Sequence, residues 1–589
     1  MLISKLSSDV QSCFDAAGYP RAAALVTSSR RPEFGQFQTN SAMAIAKLYG
    51  QPPRKIAEAV SRKLAELGYL RDIAIEGPGF INFSVTDGYL REQFRGQLSD
   101  SRHGVPAPTF GSTKTVVLDY GGPNVAKAMH VGHLRSAIIG DTLRRISTFL
   151  GNKTIADVHL GDWGLPMGMV LSEIRRRYPD LPHFTGPANV DQSVPVGLTI
   201  DELNELYPAA AARCSSDEAS LLEARRLTKR LQNGDPGLRS LWQYIVDISV
   251  ASARQEFARL NVEFDLWRGE SHVHRRLEKL ISEVEASGLA ERDLGALVIH
   301  LGRPEDDHEI PPLIIEKSDG AVMYAGTDLA TIAERVAELH PDLILYVVDQ
   351  RQRVHFEQVF RAAEKLNLIH DGRPACEHIG FGTVNGPDGK PLKTRAGGVL
   401  KLSDLINQAT DAARARLHEV GFSARGGEEF EVAARQIGVA TIRFADLANN
   451  RTSDYIFNLE KFSAAEGRTG PYLCYSAVRA RAIQDKADRR DMSLEVPVAP
   501  SSDVERNLIV LLLSFGDAVL NSFNKRLPSI LCEHLFDVAQ AFNTFYHQIR
   551  VLNEPDADRR QSLLAIISGV DRQIRLGLSL LGIDAPQKM

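Results

Sequence analysis

Apolar residues recur at helical spacing near the start of the chain and then give way to an extended pattern. Ile56, Val60 and Leu64 follow one another at four-residue steps within residues 53–70, which predicts an amphipathic helix. The glycine-containing segment GPGFINFSV that comes next predicts a turn and then a strand. We therefore expect residues 1–110 to form a small α/β domain that ends in a Pro- and Ser-containing linker.

The pattern changes at Lys114, where apolar runs begin to alternate with helical rows. KTVVLDY at 114–120 predicts a strand that leads through Gly-Gly-Pro into a helix, and DLILYVVDQ at 342–350 predicts a second buried strand followed by a helix. Such alternation favours an α/β fold with a Rossmann-like, doubly wound parallel sheet over residues 113–400. Residues 180–240, which carry Pro, Gly and Asp clusters around a helical run, are expected to be an insertion.

The last part of the chain is helical throughout. Residues 401–448 predict a connecting helical segment, and rows of apolar residues that begin at Val504, Leu531 and Leu563 alternate steps of three and four. These rows predict an all-α bundle over residues 449–589.

Composition narrows the class of protein without deciding its function. The chain has 589 residues, 43% apolar and 24% charged, with a formal charge of −5, so it is globular and not coated in basic charge for non-specific nucleic-acid binding. Its five cysteines include no C-x-x-C pair, which favours free thiols. The N-terminus lacks a signal-like apolar run, and Leu508–Phe515 is far shorter than the roughly 20 residues that span a bilayer. A cytoplasmic protein that does not bind membranes is expected.

Candidate chemistry lies in the segment YGGPNVAKAMHVGHLR at 120–135. A predicted strand ends there, and His130 and His133 arrive at the start of a helix, where unpaired N–H groups suit phosphate. Gly132 leaves room for a flat ring near the backbone, and Lys127 adds a positive charge. Two ordinary helix histidines are the alternative interpretation. No third ligand stands nearby, so no metal site is expected, and the absence of G-x-G-x-x-G disfavours a nicotinamide dehydrogenase.

This segment resembles the HIGH signature of class I aminoacyl-tRNA synthetases, and its PN-x-A-K and the later GDWG resemble the version found in arginyl-tRNA synthetases. The resemblance extends over the whole chain. Its further segments are FGQFQTN at 34–40, EGPGFIN at 76–82, YAGTDLA at 324–330, DGKPLKTRAGGVLKLSDLI at 388–406 and the C-terminal LGLSLLGIDAPQKM. The fold expected from it is a class I catalytic domain between an additional N-terminal domain and an anticodon-binding bundle.

The resemblance implies a pocket for L-arginine. A guanidinium has five donors and no acceptor, so it needs carboxylates and oriented oxygens. Tyr324 and Asp328, four residues apart, face the same way on a helix. The expected arginine contacts are Asn124, Glu270, Tyr324, Asp328 and Gln352. Without the resemblance, an exposed helix carboxylate is the simpler interpretation of Asp328, and a residue at a helix N-terminus that of Glu270.

The resemblance also implies ATP as the second substrate, with Mg²⁺ accompanying it. His130, His133 and Lys127 are the expected catalytic residues, and Gly132, Lys390, Lys393 and Arg395 are expected to contact ATP together with the two histidines. The second signature of the class is K-M-S-K-S-like, whereas this chain has Pro-Leu-Lys-Thr-Arg at 391–395. We hypothesise that Lys127 supplies part of the missing lysine function.

The third partner implied is tRNA(Arg), and neither DNA binding nor an oligomer is expected. Gln36, Phe37 and Gln38 suit an unstacked loop base, although a core position for Phe37 is nearly as plausible. The candidates for contact with the anticodon region are Arg443, Arg451, Arg468, Tyr472 and Arg479. The implied function is an arginine–tRNA ligase that forms arginyl-adenylate and releases AMP and diphosphate. The alternatives are another class I synthetase or a non-catalytic tRNA-binding paralogue.

Overall fold

A computed structural model describes residues 1–29, 31, 34–108, 111, 113–185, 197–307, 309–318, 322–392, 400–422, 427–487 and 500–589. The chain forms two compact units. The first consists of Met1–Pro108, Gly426–Ile437 and Ala464–Met589, and the second of Thr109–Arg425 and Gly438–Ser463.

The strands and helices are numbered along the chain. The strands are β1 (Thr27–Ser28), β2 (Phe37–Thr39), β3 (Leu70–Glu76), β4 (Phe80–Val85), β5 (Thr115–Asp119), β6 (Lys153–Leu160), β7 (Leu266–Gly269), β8 (Glu291–Asp293), β9 (Ala296–Ile299), β10 (Leu313–Glu316), β11 (Leu343–Tyr346), β12 (Ala375–His378), β13 (Val384–Asn385) and β14 (Tyr455–Ile456). The helices are α1 (Leu2–Ala16), α2 (Ser41–Tyr49), α3 (Pro53–Ala65), α4 (Asp87–Ser99), α5 (Leu134–Phe149), α6 (Leu165–Arg177), α7 (Pro182–Thr185), α8 (Ile200–Ser216), α9 (Glu218–Gln232), α10 (Pro236–Arg259), α11 (His274–Ala286), α12 (Tyr324–Leu339), α13 (Arg353–Lys365), α14 (Leu402–Glu419), α15 (Glu428–Leu447), α16 (Leu459–Phe462), α17 (Gly470–Lys486), α18 (Asp503–Leu513), α19 (Phe515–Asn524), α20 (Ser529–Gln548) and α21 (Ala557–Leu580).

The second unit is built on a parallel sheet of five strands in the order β12-β11-β5-β6-β7. Val117 lies between Ile344 and Ile155 in register, and β5 is buried because its neighbours cover it on both edges. Purely parallel sheets need apolar cover on both faces, which explains the continuous apolar runs in the sequence. The predicted Rossmann-like parallel sheet is confirmed.

The described residues of the predicted insertion, 180–185 and 197–240, are largely helical and share an apolar core with the sheet. Helices α8 and α9 pack on α6, and Leu203, Leu227 and Leu231 are buried in one cluster with Leu171 and Val158 of β6. A second apolar cluster joins β5 and β11 to α11, α12 and α13. These two clusters fix the helices that follow the carboxyl ends of the strands, where ligands bind in folds of this type.

Helix α5 is held in the second unit by buried arginines. Arg135 on α5 lies 3.1 Å from Asp446 and donates to the carbonyls of Gly382 and Ser453. Because the side chains of Arg135 and Asp446 are almost completely buried, removal of either partner would leave the other as an unpaired charge in the interior. The contact joins α5 to the chain that leads into β13.

The first unit combines both ends of the chain. Its antiparallel sheet has the order β1-β2-β4-β3, with α3 beginning at Pro53 as the sequence predicts. The backbone N–H groups of Ile3 and Ser4 donate to Asp517 at 3.0 Å, and Gln97 donates to the carbonyl of Leu512 at 2.9 Å. The N-terminal segment and the C-terminal bundle therefore share hydrogen bonds as well as core.

In the described part of the chain, one stretch is long and apolar enough to cross a membrane, Asp503–Asn524. Its most apolar window is 61% buried, and the stretch is divided into α18 and α19 at Ser514. These are properties of core helices in a bundle, so the stretch is weak evidence for a membrane span.

Candidate active site

The two signature histidines follow β5 after the loop of residues 120–129, and they flank a short 3₁₀ turn that precedes α5. His130 caps this turn, and its Nδ1 accepts a hydrogen bond from the N–H of Gly132 at 3.0 Å. The Nδ1 of His133 accepts from the N–H of His130 at 3.1 Å, and the two rings lie 4.2 Å apart. Since each Nδ1 is an acceptor, each neutral ring carries its hydrogen on Nε2. The pair therefore offers two N–H donors beside the strand end.

Both histidines are neutral near pH 7. Burial and then the charge of Lys127 lower the pKa of His130. Burial, followed by His130, lowers the pKa of His133 to about 3. Neutral donors of this kind can hydrogen-bond phosphate oxygens without changing their own protonation state.

Gly132 is required by the histidine arrangement itself. A Cβ at this position would lie 2.6 Å from Cε1 and 2.8 Å from Nδ1 of His130. The sequence-based interpretation left this space for a substrate ring, whereas in the structure the His130 ring occupies it.

A narrow cleft of about 10 Å³, lined by the loop between β5 and the histidines, contains Lys127 and Asn124. The Nζ of Lys127 lies 4.7 Å from the centre of the Tyr207 ring on α8, a cation–π contact that directs the ammonium group. Asn124 is exposed and bridges to Gly161 after β6, where a Cβ would lie 2.2 Å from the Asn124 Oδ1. The same cleft is lined by Leu160, Ser249 and Glu256.

Three carboxylates lie close together at the ends of neighbouring elements: Asp162 after β6, Glu270 after β7, and Asp328 on α12. Burial raises the pKa of Glu270 to about 8, and the charges of Asp162 and Asp328 add to the effect. Asp162 is held by the N–H of Ser271 at 3.0 Å and by its hydroxyl. A carboxylate cluster with a raised pKa is short of positive charge and suits a cationic ligand.

Asp328 contacts a residue that the sequence interpretation did not include. The Nε2 of His355, on α13, lies 2.6 Å from Oδ2 of Asp328. Both side chains are partly buried, 31% exposed for His355 and 22% for Asp328. His355 stands three residues after Gln352 in the segment RQRVHF at 351–356, but only the packing of α12 on α13 brings the His355 and Asp328 side chains together.

Tyr324 and Gln352 have accessible side chains, and the charge of Glu270 acts on Tyr324. Tyr324 is the first residue of α12 and is 64% exposed, and Gln352 ends the short 3₁₀ turn that follows β11. Four of the five predicted arginine contacts thus follow the carboxyl ends of sheet strands or begin the helix beside them: Asn124, Glu270, Tyr324 and Gln352.

The second signature is described only in part. Lys390 is exposed, and its N–H donates to Asp388 at 3.1 Å in a turn after β13. Lys393 and Arg395 lie outside the described residues. Lys401, after this segment, forms an isolated antiparallel bridge with His130, so the chain returns to the first signature.

The proposed RNA contacts in the N-terminal sheet need one correction. Phe37 is fully buried and packs 6.0 Å from Phe83, because the alternation of β2 turns it into the core. It therefore cannot stack on a base, and that prediction was wrong. Gln36 and Gln38 lie on the other face, where Gln38 donates to Asn82 at 2.8 Å.

A second correction concerns Arg443. Its side chain is completely buried in the second unit, 2.8 Å from Asp141, and cannot contact RNA. Arg451, also in the second unit, is half-buried and donates to the carbonyl of Gly380. Both lie outside the unit that contains the bundle.

The remaining candidates lie on the bundle. Arg468 is exposed. Arg479 donates to Oδ1 of Asn543 at 2.5 Å and lies 5.3 Å from the Tyr546 ring, and the Asn543 amide donates to the Tyr472 hydroxyl at 2.6 Å. Arg479 is therefore linked to Tyr472 through Asn543 and also contacts the ring of Tyr546.

Among the described residues, one group has geometry suited to a metal ion: His272, Glu334 and Glu338. His272 lies 3.0 Å from Glu334, and Arg268 lies 2.8 Å from Glu338. The two carboxylates therefore already have positively charged or titratable partners within the protein.

Comparison with known proteins defines the class. Residues 97–459 match the family described as tRNA synthetases class I (R), catalytic domain, residues 473–589 match the DALR anticodon binding domain, and residues 2–85 match the arginyl tRNA synthetase N terminal domain. The fold and the histidine turn are thus those of a class I tRNA synthetase.

Full-length relatives narrow the family. The chain is 44% identical to an arginine–tRNA ligase of Hyphomonas neptunium and 41% identical to one of Alkaliphilus oremlandii, with 100% of both chains covered in each case. It therefore belongs to the arginine–tRNA ligase family. An arginyl-tRNA synthetase structure from Plasmodium falciparum matches with a TM-score of 0.84 at 25% identity over 100% of this chain and 99% of that one. A Thermus thermophilus structure matches in fold with a TM-score of 0.81 at 23% identity over 100% of both.

Proposed function

We propose that this chain is an ATP-dependent arginine–tRNA ligase in which the Glu270–Asp328 carboxylate cluster binds the guanidinium of L-arginine. The observation that carries the proposal is the grouping of Asp162, Glu270 and Asp328 at the ends of neighbouring elements, where burial and the two aspartates raise the pKa of Glu270 to about 8. A guanidinium placed among these groups supplies the missing positive charge and five N–H donors. Lysine or citrulline would leave buried carboxylates poorly paired, so the pocket discriminates without an editing step.

The remaining substrate contacts follow from position. Asn124 beside Gly161 holds the α-amino group of arginine, and Tyr324 and Gln352 border the side chain. His130 and His133 donate through Nε2 to the phosphates of ATP, which arrives with Mg²⁺, and Lys127 adds charge from the same cleft. Lys390, Lys393 and Arg395 are proposed to approach the phosphates from the second signature.

Positioning and charge account for the chemistry. The arginine carboxylate attacks the α-phosphorus, the bond to the β-phosphate oxygen breaks, and diphosphate leaves. The two histidines stabilise the charge that accumulates on the phosphate oxygens, and neither needs to exchange a proton. A ribose hydroxyl of the tRNA 3′-terminal adenosine then adds to the carbonyl carbon and gives up its proton, and AMP leaves.

Contacts with tRNA(Arg) are proposed at Gln36 and Gln38 on the N-terminal sheet and at Arg468, Tyr472 and Arg479 on the bundle. Arg451 remains a candidate at the second unit. We further propose a monomer that acts in the cytoplasm and binds neither DNA nor membranes. Light scattering of the purified protein measures the oligomeric state directly.

The test is ATP–diphosphate exchange with each amino acid, with and without total tRNA. We expect exchange with arginine alone among the amino acids, and loss of at least about 100-fold in Asp328→Asn, because its charge-assisted hydrogen bond to the guanidinium is lost. Glu338→Gln, on the same helix but outside the cluster, is the matched control and should retain activity. Exchange with lysine or glutamate in place of arginine would overturn the assignment, as would normal activity in Asp328→Asn.

A further inference from the structure

The His355–Asp328 contact suggests a role beyond the pocket contacts proposed above. His355 is the third residue of α13, and Asp328 lies one turn into α12. Their atoms are 2.6 Å apart, which is the distance of a hydrogen bond to a carboxylate. A second histidine–carboxylate pair, His300 with Glu291 at 2.8 Å, provides a contrast because both of its side chains are 59–65% exposed.

We infer that His355 is a positioning residue for arginine: its Nε2–H holds Oδ2 of Asp328 and thereby aims the other carboxylate oxygen at the guanidinium. This inference rests on the proposed function of the pocket. His355 acts through Asp328 and does not itself touch the substrate.

The geometry gives a physical reason for such a residue. An aspartate side chain rotates about two bonds, and a guanidinium fork requires its oxygens in a fixed plane. The hydrogen bond from His355 fixes that plane from one side. Within the described residues, no hydrogen bond reaches Oδ1 of Asp328, so this oxygen is available to a ligand.

The charges around Asp328 favour a His355 that orients this carboxylate over one that only neutralises it. A neutral imidazole that donates one hydrogen bond leaves the carboxylate its full negative charge. The field of Asp328 reaches Glu270, whose pKa it helps to raise, and also Tyr346. Asp328 is therefore electrostatically coupled to Glu270 as well as in contact with His355.

The opposite role would be competition, in which His355 occupies the place of the guanidinium. The two roles predict opposite effects on the KM for arginine. If His355 positions Asp328, its loss raises this KM. If it competes with substrate, its loss lowers the KM.

The sharpest test is a pair of amide variants. Gln at 355 carries an N–H donor at about the reach of the histidine Nε2, whereas Asn is one methylene too short. We expect His355→Asn to raise the arginine KM in diphosphate exchange about tenfold, as loss of a hydrogen bond to a charged group does. His355→Gln should recover most of this loss, and kcat and the KM for ATP should stay near the wild-type values in both variants.

Two further variants separate this inference from the function of the pocket. In an Asp328→Asn background, His355→Asn should add nothing, because the histidine acts through that carboxylate. His300→Asn, in the exposed pair, is the matched control and should leave the arginine KM unchanged. The inference is overturned if His355→Asn leaves the arginine KM unchanged or lowers it, if Gln and Asn behave alike, or if the ATP KM rises equally. Failure of the wild type to use arginine would instead overturn the proposed function.

Discussion

Asp141 and Glu270 are two carboxylates of the same unit whose neighbours shift their pKa in opposite directions. Asp141, on α5, is completely buried, and burial alone would raise its pKa. Three guanidiniums outweigh burial and lower it. They approach the two oxygens of Asp141 at 2.7–2.9 Å and belong to Arg144, Arg145 and Arg443.

Glu270 is partly removed from water, and its charged neighbours are Asp162 and Asp328. Burial and these carboxylates act in the same direction and raise its pKa to about 8. The difference distinguishes a scaffold charge from a site charge. A carboxylate that is saturated by the protein's own arginines stabilises the fold, whereas one that lacks a counter-ion leaves room for a cationic ligand.

The largest expected effect on stability comes from removing one arginine from the cluster around Asp141, which we call the saturated cluster because three guanidiniums contact its carboxylate. Arg443→Leu removes the buried guanidinium that contacts Asp141 at 2.8 Å and the carbonyl of Leu260 at 2.7 Å. We expect the free energy of unfolding to fall by about 3–5 kcal/mol, because a buried ion pair to Asp141 is broken and the carbonyl of Leu260 loses its charged donor. Urea unfolding measures the change.

The matched control for this prediction is Asp328→Asn, which removes a charge from the unsaturated cluster. It should leave stability within about 1 kcal/mol of the wild type, since Asp328 is partly exposed and the asparagine amide oxygen can still accept the hydrogen bond from His355. If Asp328→Asn lost as much stability as Arg443→Leu, the carboxylates around Glu270 would stabilise the fold as those around Asp141 do, and the two clusters would not differ in role.

The second prediction concerns the binding of arginine to the unsaturated cluster of Asp162, Glu270 and Asp328. Free L-arginine should stabilise the wild-type protein by about 2.7 kcal/mol at 100 times its Kd, because it binds the folded state alone. Citrulline has nearly the same shape without the charge and should have little effect. Thermal unfolding with each ligand measures the shift.

Asp328→Asn is the control variant for the thermal unfolding measurement with arginine. Arginine should shift its unfolding temperature far less than that of the wild type. Equal stabilisation by citrulline and arginine would show that shape, not charge, determines binding. The lack of a counter-ion at Glu270 would then say nothing about its ligand.

Much of the fold could be predicted because its signals are local. The apolar run at 114–120 is β5, the i,i+4 spacing does place Tyr324 and Asp328 on one helix, and the row beginning at Pro53 is α3. Strand β3 was not predicted, because Arg71 and Asp72 interrupt its apolar pattern and are exposed.

The site was harder to predict because its chemistry depends on packing. His355 and Asp328 are separated by 27 positions, and no spacing rule joins residues on two different helices. Phe37 was misassigned although the alternation of β2 carried the signal that it points inward. Arg443 looks like a surface charge in sequence, and only the buried Asp141 explains its position.

The smallest effect, and the one that tests the comparison most directly, is the pH dependence set by Glu270. Its pKa is raised from 4.5 to about 8, so the folded state holds a proton that the unfolded state has released. The resulting contribution to stability is complete below pH 4.5 and is lost as pH rises through about 8. Glu270→Gln stays neutral, so from pH 6 to 8 it should gain about 1 kcal/mol of stability relative to the wild type, after allowance for the partial exposure of Glu270.

Arginine binding should depend on pH with the opposite sign. The guanidinium favours the ionised form of Glu270, so binding releases a proton and the affinity of the wild type should rise from pH 6 to 8. Glu270→Gln should bind arginine more weakly and with little pH dependence. Calorimetry in buffers of different ionisation enthalpy counts the released protons. If neither the wild-type stability relative to Glu270→Gln nor the arginine affinity changed from pH 6 to 8, Glu270 would be an ordinary surface carboxylate, and the distinction from Asp141 would rest on Asp328 alone.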